Sequence, residues 1–278
     1  MIFTVDKRSV IPYILSLLMI VGLIGCGGGG GSAPLPPDAN PTGYYTGSAS
    51  VKEPADNNVD YPISDLQIMI SGTRIMMMSN LTSVLYDGMF TVSGNDLTSI
   101  MTVYYNGDKQ ATTATLNARI TEESQITGTF TGINLGNGTF VSTFSNLSNA
   151  APNFNNLNFD PGASFWGPET SLNLDSGIIE FEITNSNGDF IGSDNTTALK
   201  FDNCSPDTGS TFSQIANTSF FAVTMNLTSC LVNGGDTNSA VTGIYTGFAQ
   251  MKPDGSGNAL AFSVSNGTYS IVDDYVEN

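Results

Sequence analysis

Beyond residue 42 the chain never sustains a helical hydrophobic period. It runs as short stretches of alternating apolar and polar residues, each cut by Gly, Asn, Asp or Pro. Successive side chains of a strand point to opposite faces, so this alternation specifies half-buried strands and the punctuation specifies turns. Strands are expected over 43–51, 65–70, 74–79, 84–92, 97–105, 113–121, 126–133 and 139–144. Leu66, Ile68 and Ile70 share one face of the second. Residues 113–121 alternate most cleanly, with Ala114, Leu116, Ala118 and Ile120 on one side and Thr115, Asn117, Arg119 and Thr121 on the other. Asn106-Gly107-Asp108 is a strong hairpin turn, because Asn and Gly accept the positive φ that such turns demand. About eight strands in about a hundred residues, evenly spaced, imply an antiparallel meander.

The rhythm breaks at 145–158, where Asn, Ala and Pro152 gather, and a boundary between two β domains, 43–147 and 148–278, is expected there. Strands resume over 171–174, 178–184, 189–192, 198–201, 220–229, 240–250, 259–264 and 268–272. Gly43-Tyr44-Tyr45-Thr46-Gly47-Ser48-Ala49 reappears as Gly243-Ile244-Tyr245-Thr246-Gly247-Phe248-Ala249. A shared module is the simplest account, yet it opens the first half and closes the second, so the halves are not simple tandem copies. The expected fold is all-β, with antiparallel meanders forming two small β-barrels. Closing each sheet removes its exposed edges. Two β-sandwiches are the competing arrangement.

Hydrophobic residues make up 40% of the 278, enough to bury a core, whereas charged residues reach only 12%. The formal net charge of −17 argues against a phosphate-tracking surface, so no nucleic-acid partner is expected. The chain has no histidine, which removes Ser-His-Asp and Cys-His catalysis, HExxH zinc sites and histidine pH switching. Of its three cysteines, Cys204 and Cys230 form an even remainder once Cys26 is set aside, and a disulfide between them is expected.

Residues 1–25 combine a charged start, Asp6-Lys7-Arg8, with an apolar run from Val10 to Ile24, the pattern of a signal peptide with an N-terminal signal helix. The run ends in Leu23-Ile24-Gly25-Cys26, which resembles a bacterial lipobox. The resemblance implies cleavage before Cys26, a diacylglycerol and a further acyl chain such as palmitate on it, and attachment to a membrane through that lipid. Gly27 after the cysteine implies transport to the outer membrane in that class. Residues 26–42, rich in Gly and Pro, read as a tether. The tethered, Gly-rich β body also resembles barrel-type surface lipoproteins, with no binding motif to transfer.

Glu180 and Glu182 share a strand face and are the best carboxylate pair for hydrolytic acid–base work, but a solvated face opposite Ile179, Phe181 and Ile183 is much the better account of them. Asn185-Ser186-Asn187-Gly188-Asp189 offers oxygen ligands without EF-hand spacing and reads as turn chemistry. Met76-Met77-Met78 suggests copper(I), but Met77 points away from the other two on a strand, so packing is the better account. No catalytic, cofactor or metal residue is therefore assigned. The expectation is a non-enzymatic outer-membrane lipoprotein with a binding or structural role in the cell envelope, its partner an envelope protein, a glycan or a small apolar ligand. The alternatives are a carboxylate-dependent hydrolase and a lipocalin-type carrier of a small apolar ligand, the latter requiring an empty, apolar barrel interior.

Overall fold

The first half of the chain wraps into a closed barrel of eight antiparallel strands, each hydrogen-bonded to the next and the last to the first. The computed structural model describes residues 37–149, 165–168, 179–185, 187–194, 204–216, 218–230, 241–254 and 257–277. The strands are β1 Gly43–Lys52, β2 Asp60–Ser71, β3 Arg74–Ser79, β4 Val84–Ser93, β5 Asp96–Tyr105, β6 Asp108–Thr121, β7 Gln125–Thr131 and β8 Gly138–Phe144. Each expected segment is present, and β2 starts earlier than the alternation suggests because Asp60–Ile63 pairs with the end of β1. The register shift between Gly47 and Ala49 accommodates the extra length, with Ser64 and Asp65 of β2 bulged opposite Ser48.

The inward positions form one apolar cluster that includes Tyr45, Val51, Ile68, Ile75, Met77, Tyr86, Leu97, Met101, Leu116, Ile126, Phe130 and Phe140. Large and small residues alternate round it, with Ala49, Ala114 and Ala118 beside the aromatic rings. Tyr86 stacks on Phe130 with centroids 4.7 Å apart, and Phe130 leans on Phe140 at 5.4 Å. The inward serines are paired to backbone: Ser99 Oγ donates to the Met89 carbonyl and Ser142 Oγ to that of Ile126.

The second half forms a nine-stranded sheet that curls without closing through strand pairing. Its strands are β9 Phe165–Pro168, β10 Ile179–Ile183, β11 Phe190–Asp194, β12 Ser205–Pro206, β13 Thr211–Gln214, β14 Phe220–Thr228, β15 Gly243–Asp254, β16 Gly257–Ser265 and β17 Ser270–Glu277. The expectation of two closed barrels is corrected here to one barrel and one curled half-barrel, and the sandwich alternative fails because the first sheet closes on itself. The expected signal helix lies outside the described residues. The curl has a visible cause. Phe181, Phe190 and Phe212 meet on the inner face, 4.6–5.5 Å between centroids, drawing β10 and β11 toward β13. The two ends of the sheet then touch through the Asp189–Thr211 bridge and through Phe212 N–H donating to the Gly188 carbonyl.

The internal repeat is a repeat of structure. Tyr45 Oη donates to the Pro41 carbonyl at 3.0 Å and Tyr245 Oη to that of Val241 at 2.8 Å, each four residues back. Gly43 and Gly243 share φ 142°. β15, β16 and β17 follow one another as β1, β2 and β3 do, and β17 then pairs with β9 and β9 with β10. The second sheet thus follows the barrel's strand cycle, cut between its third and fourth members and rejoined between its eighth and first. A circular permutation of one meander explains why the shared motif opens one half and closes the other.

The two sheets lie within one compact unit, Pro37–Asn278, and dock through their outer faces. Tyr44, Met69, Met76, Met78, Leu85 and Tyr104 of the barrel pack on Phe220, Phe248, Ala261 and Val272 of the sheet. The methionine run is thereby explained: Met77 fills the barrel while Met76 and Met78 form the joint. Cys204 and Cys230 are bonded, S–S 2.09 Å, tying the entry to β12 to the end of β14.

Candidate functional site

A barrel of eight strands is just wide enough to be filled by side chains or to hold one small ligand. What decides its use is how its ends are closed. At one end, residues 38–41 cross the opening. Ala39 N–H donates to the Gly94 carbonyl, Gly94 N–H to Asp38 Oδ1, and Tyr45 Oη to the Pro41 carbonyl. At the other end a single 3-10 turn, Asn134–Gly136, lies across the mouth with Leu135 turned inward and 1% exposed.

The turn is flanked by bonds to both neighbouring strands, with Thr112 Oγ1 donating to the Ile133 carbonyl and Lys52 N–H to that of Asn137. Asn134 adopts φ 50°, a left-handed conformation that a non-glycine residue holds only under local constraint. The constraint comes from the β1–β2 loop: Asn134 N–H donates to Asn57 Oδ1 at 2.9 Å, and Asn134 Nδ2 to the Pro54 carbonyl at 2.7 Å. Below it, Tyr86 Oη donates to the Leu135 carbonyl at 2.7 Å. Burial pushes the Tyr86 hydroxyl far above the ordinary phenol range, so it remains an O–H donor at all physiological pH values. A small pocket of about 120 Å³, lined by Pro54, Gln110, Thr112, Ile133, Asn134 and Leu135, opens directly beside the turn. Ile133 is 60% exposed there.

A second concavity, about 660 Å³ and open to solvent, runs along the joint between barrel and sheet. Its floor is a chain of polar contacts: Tyr44 Oη donates to Gln67 Oε1 at 2.6 Å, Gln67 Nε2 to the Asp274 carboxylate at 3.3 Å, and Lys252 Nζ pairs with Asp274 at 2.8 Å. Burial, and then the Asp274 carboxylate, raise the Tyr44 hydroxyl beyond the phenol range.

The residues singled out from sequence are placed as follows. Cys26, together with the signal and tether segments up to residue 36, lies outside the described residues. Glu182 is half-buried on β10 between the buried Phe181 and Ile183, and the side chain of Glu180 lies outside the described residues. Asn185 closes its own loop, accepting from Asn187 N–H and Asp189 N–H and donating to Asp189 Oδ2, which is turn chemistry. Among the described residues no cluster of His, Cys, Asp or Glu is arranged to hold a metal. Sequence reasoning missed Leu135 and the Gln67–Asp274–Lys252 chain. Tyr86 was readable as an inward polar group, two residues from Val84 on the same strand face; the contacts across loops and sheets had no local signal.

The expectation of an outer-membrane-anchored structural lipoprotein is corrected by this architecture. The body is a closed eight-stranded barrel with a capped interior filled by apolar side chains, an architecture of the size that lipocalins and streptavidin also use. The expected signal peptide, lipobox and palmitate of a lipoprotein fall on residues outside those described, and the described body lends no support to an outer-membrane or cell-envelope setting. Comparison of the chain with known protein families, with characterised proteins and with solved structures finds no match in any of the three.

Proposed function

We propose that the barrel is a lipocalin-type carrier that takes a small apolar ligand into its interior through the end covered by Asn134–Gly136. The observation that carries this reading is the Tyr86–Leu135 contact: an inward tyrosine hydroxyl bonded to the one-turn element that seals the mouth. Strands cannot part without losing ladder hydrogen bonds, whereas this turn can swing out on losing the two Asn134 bonds and the Tyr86–Leu135 bond. Tyr86 then transfers its O–H from the Leu135 carbonyl to an acceptor on the ligand, leaving no buried donor unpaired. Met77 and Met101, unbranched and adaptable, re-pack around the incoming group. The ligand is accordingly a compact hydrocarbon body with a single acceptor oxygen or nitrogen. The curled sheet, its inner face filled by Phe181, Phe190, Phe212 and Phe262, serves in this reading as a half-barrel that supports rather than contains.

The test is titration of the full chain with the neutral fluorophore N-phenyl-1-naphthylamine. Saturable enhancement is expected. Leu135→Ala removes the competing side chain and tightens binding about tenfold, the scale of one lost buried contact. Tyr86→Phe does not gain that way and weakens displacement by acceptor-bearing competitors several-fold. No saturable binding by the parent and by Leu135→Ala alike would end the proposal.

A further inference from the structure

The cleft along the joint is a second, separate site. We infer that it binds a neutral polyhydroxylated ligand, a mono- or disaccharide. Its lining mixes hydrogen-bonding groups, with Gln67, Asp274 and Lys252 on the floor and Asp65 and Thr143 on the barrel wall, with apolar surface from Tyr44, Leu66 and Leu147. Concave sites of a few hundred Å³ at the junction of two packed bodies are favoured places for small ligands.

The chemistry of the lining selects the class. Lys252 and Asp274 neutralise one another, which leaves the cleft with the one negative charge of Asp65 and disfavours an anion. What remains is dense, two-way hydrogen bonding. Lys252 Nζ has three N–H donors, one of which goes to Asp274. Asp65 accepts from Ser79 Oγ at 2.5 Å and from Leu81 N–H at 2.9 Å, and each of its oxygens has a further lone pair. The hydroxyls of Ser64, Thr46 and Thr143 can donate or accept. Vicinal sugar hydroxyls, each both donor and acceptor, match such a surface, and an apolar ligand does not.

The floor is also pre-organised. Tyr44 and Asp274 together fix which end of the Gln67 amide faces which partner, and burial of the Lys252–Asp274 pair, with side chains 24% and 12% exposed, holds both in place. A pair this buried gains little stability over apolar packing of the same volume, whereas an immobile ammonium–carboxylate couple at the foot of a cleft orients a polar ligand without further loss of freedom.

The experiment is two-dimensional NMR of the labelled full chain titrated with methyl glucoside, galactose, mannose and N-acetylglucosamine, backed by calorimetry. At least one sugar is expected to bind in the millimolar range and to shift the amides of Gly47, Ser64 and Lys252. Thr143→Trp, a change at an exposed rim position that leaves the buried pair intact, abolishes that binding. Lys252→Met weakens it at least about tenfold, the worth of one charge-assisted hydrogen bond. Silence of all four sugars, or binding that Thr143→Trp leaves unchanged, overturns the inference. Neither result bears on the naphthylamine titration, so the barrel proposal stands or falls separately.

Discussion

Tyrosine is the residue through which this molecule keeps polar groups inside an apolar body. Tyr44, Tyr45, Tyr86, Tyr245 and Tyr275 are all buried, and burial is the first cause raising each hydroxyl above its ordinary value. Four of these hydroxyls donate to a specific acceptor: Gln67 Oε1 and the carbonyls of Pro41, Leu135 and Val241. The consequence is a pH dependence of known sign. In the unfolded chain these phenols ionise near 10.0, while in the folded chain they hold their protons to higher pH. Above 10 the unfolded state therefore binds fewer protons than the native state, and stability falls as pH rises. The protein is expected to keep full stability through neutral and mildly alkaline solution and to lose it steeply above pH 10. Tyrosinate absorbance near 295 nm should appear together with unfolding measured by circular dichroism. A titration in which all ten tyrosines ionise before the fold is lost would contradict this account.

At the level of elements, the repeated strand explains more than its own stretch. β1 and β15 share a tyrosine that bonds four residues back and a glycine two residues on where the neighbouring strand passes closest. A Cβ on Gly47 would run into the Val141 carbonyl and the Cα of Ser142; one on Gly247 would meet the Ser263 carbonyl and Val264 in the same way. No rotamer relieves a clash of Cβ with backbone, so the strands must separate. Gly47→Ala is expected to destabilise the chain by about 2–4 kcal/mol, and Gly247→Ala by a similar amount, read from urea unfolding. Gly72→Ala provides the contrast: its β2–β3 turn has open space around the added atom, leaving only the strain of φ 60°. The turn at Asn134–Gly136 is short, tied to the β1–β2 loop by two bonds of Asn134 and packed through Gly136 against the Thr113 carbonyl.

Across the whole molecule, the joint between barrel and sheet has a methionine-rich centre and charged groups at its edges. On one side Arg74 forks onto Asp87, Nε to Oδ1 at 2.8 Å and Nη2 to Oδ2 at 2.6 Å, and reaches Thr246 Oγ1 at 2.9 Å, while Ser265 Oγ donates to the same carboxylate. The hairpin turn at Asn106-Gly107 adds backbone bonds to the β16–β17 turn, with Ser270 N–H donating to the Gly107 carbonyl and Lys109 N–H to that of Thr268. Arg74→Ala would leave Asp87 13% exposed and without its cation. A loss of about 2–3 kcal/mol is expected, somewhat below that of a fully buried pair. Lys52→Ala, which breaks a pair with the 71%-exposed Asp60, should cost less than about 1 kcal/mol. Urea unfolding of both variants, followed by fluorescence and circular dichroism, tests the contrast. Equal losses would show that the joint is not held by Arg74.

The sequence by itself determined the strands of the barrel. Alternation with period two and the turn at Asn106-Gly107 are local facts, because side-chain direction and backbone φ are set within a few residues. It also determined that Met77 would part from Met76 and Met78, and that two related strands lie two hundred residues apart. Only tertiary structure decided that one meander closes while the other curls, since closure depends on summed twist and on which aromatic residues meet across the sheet. The same holds for both candidate sites. Leu135 over Tyr86 and Lys252 beside Asp274 and Gln67 are brought together by chain reversal over 49 and 207 residues, and no local pattern encodes a contact made at that distance.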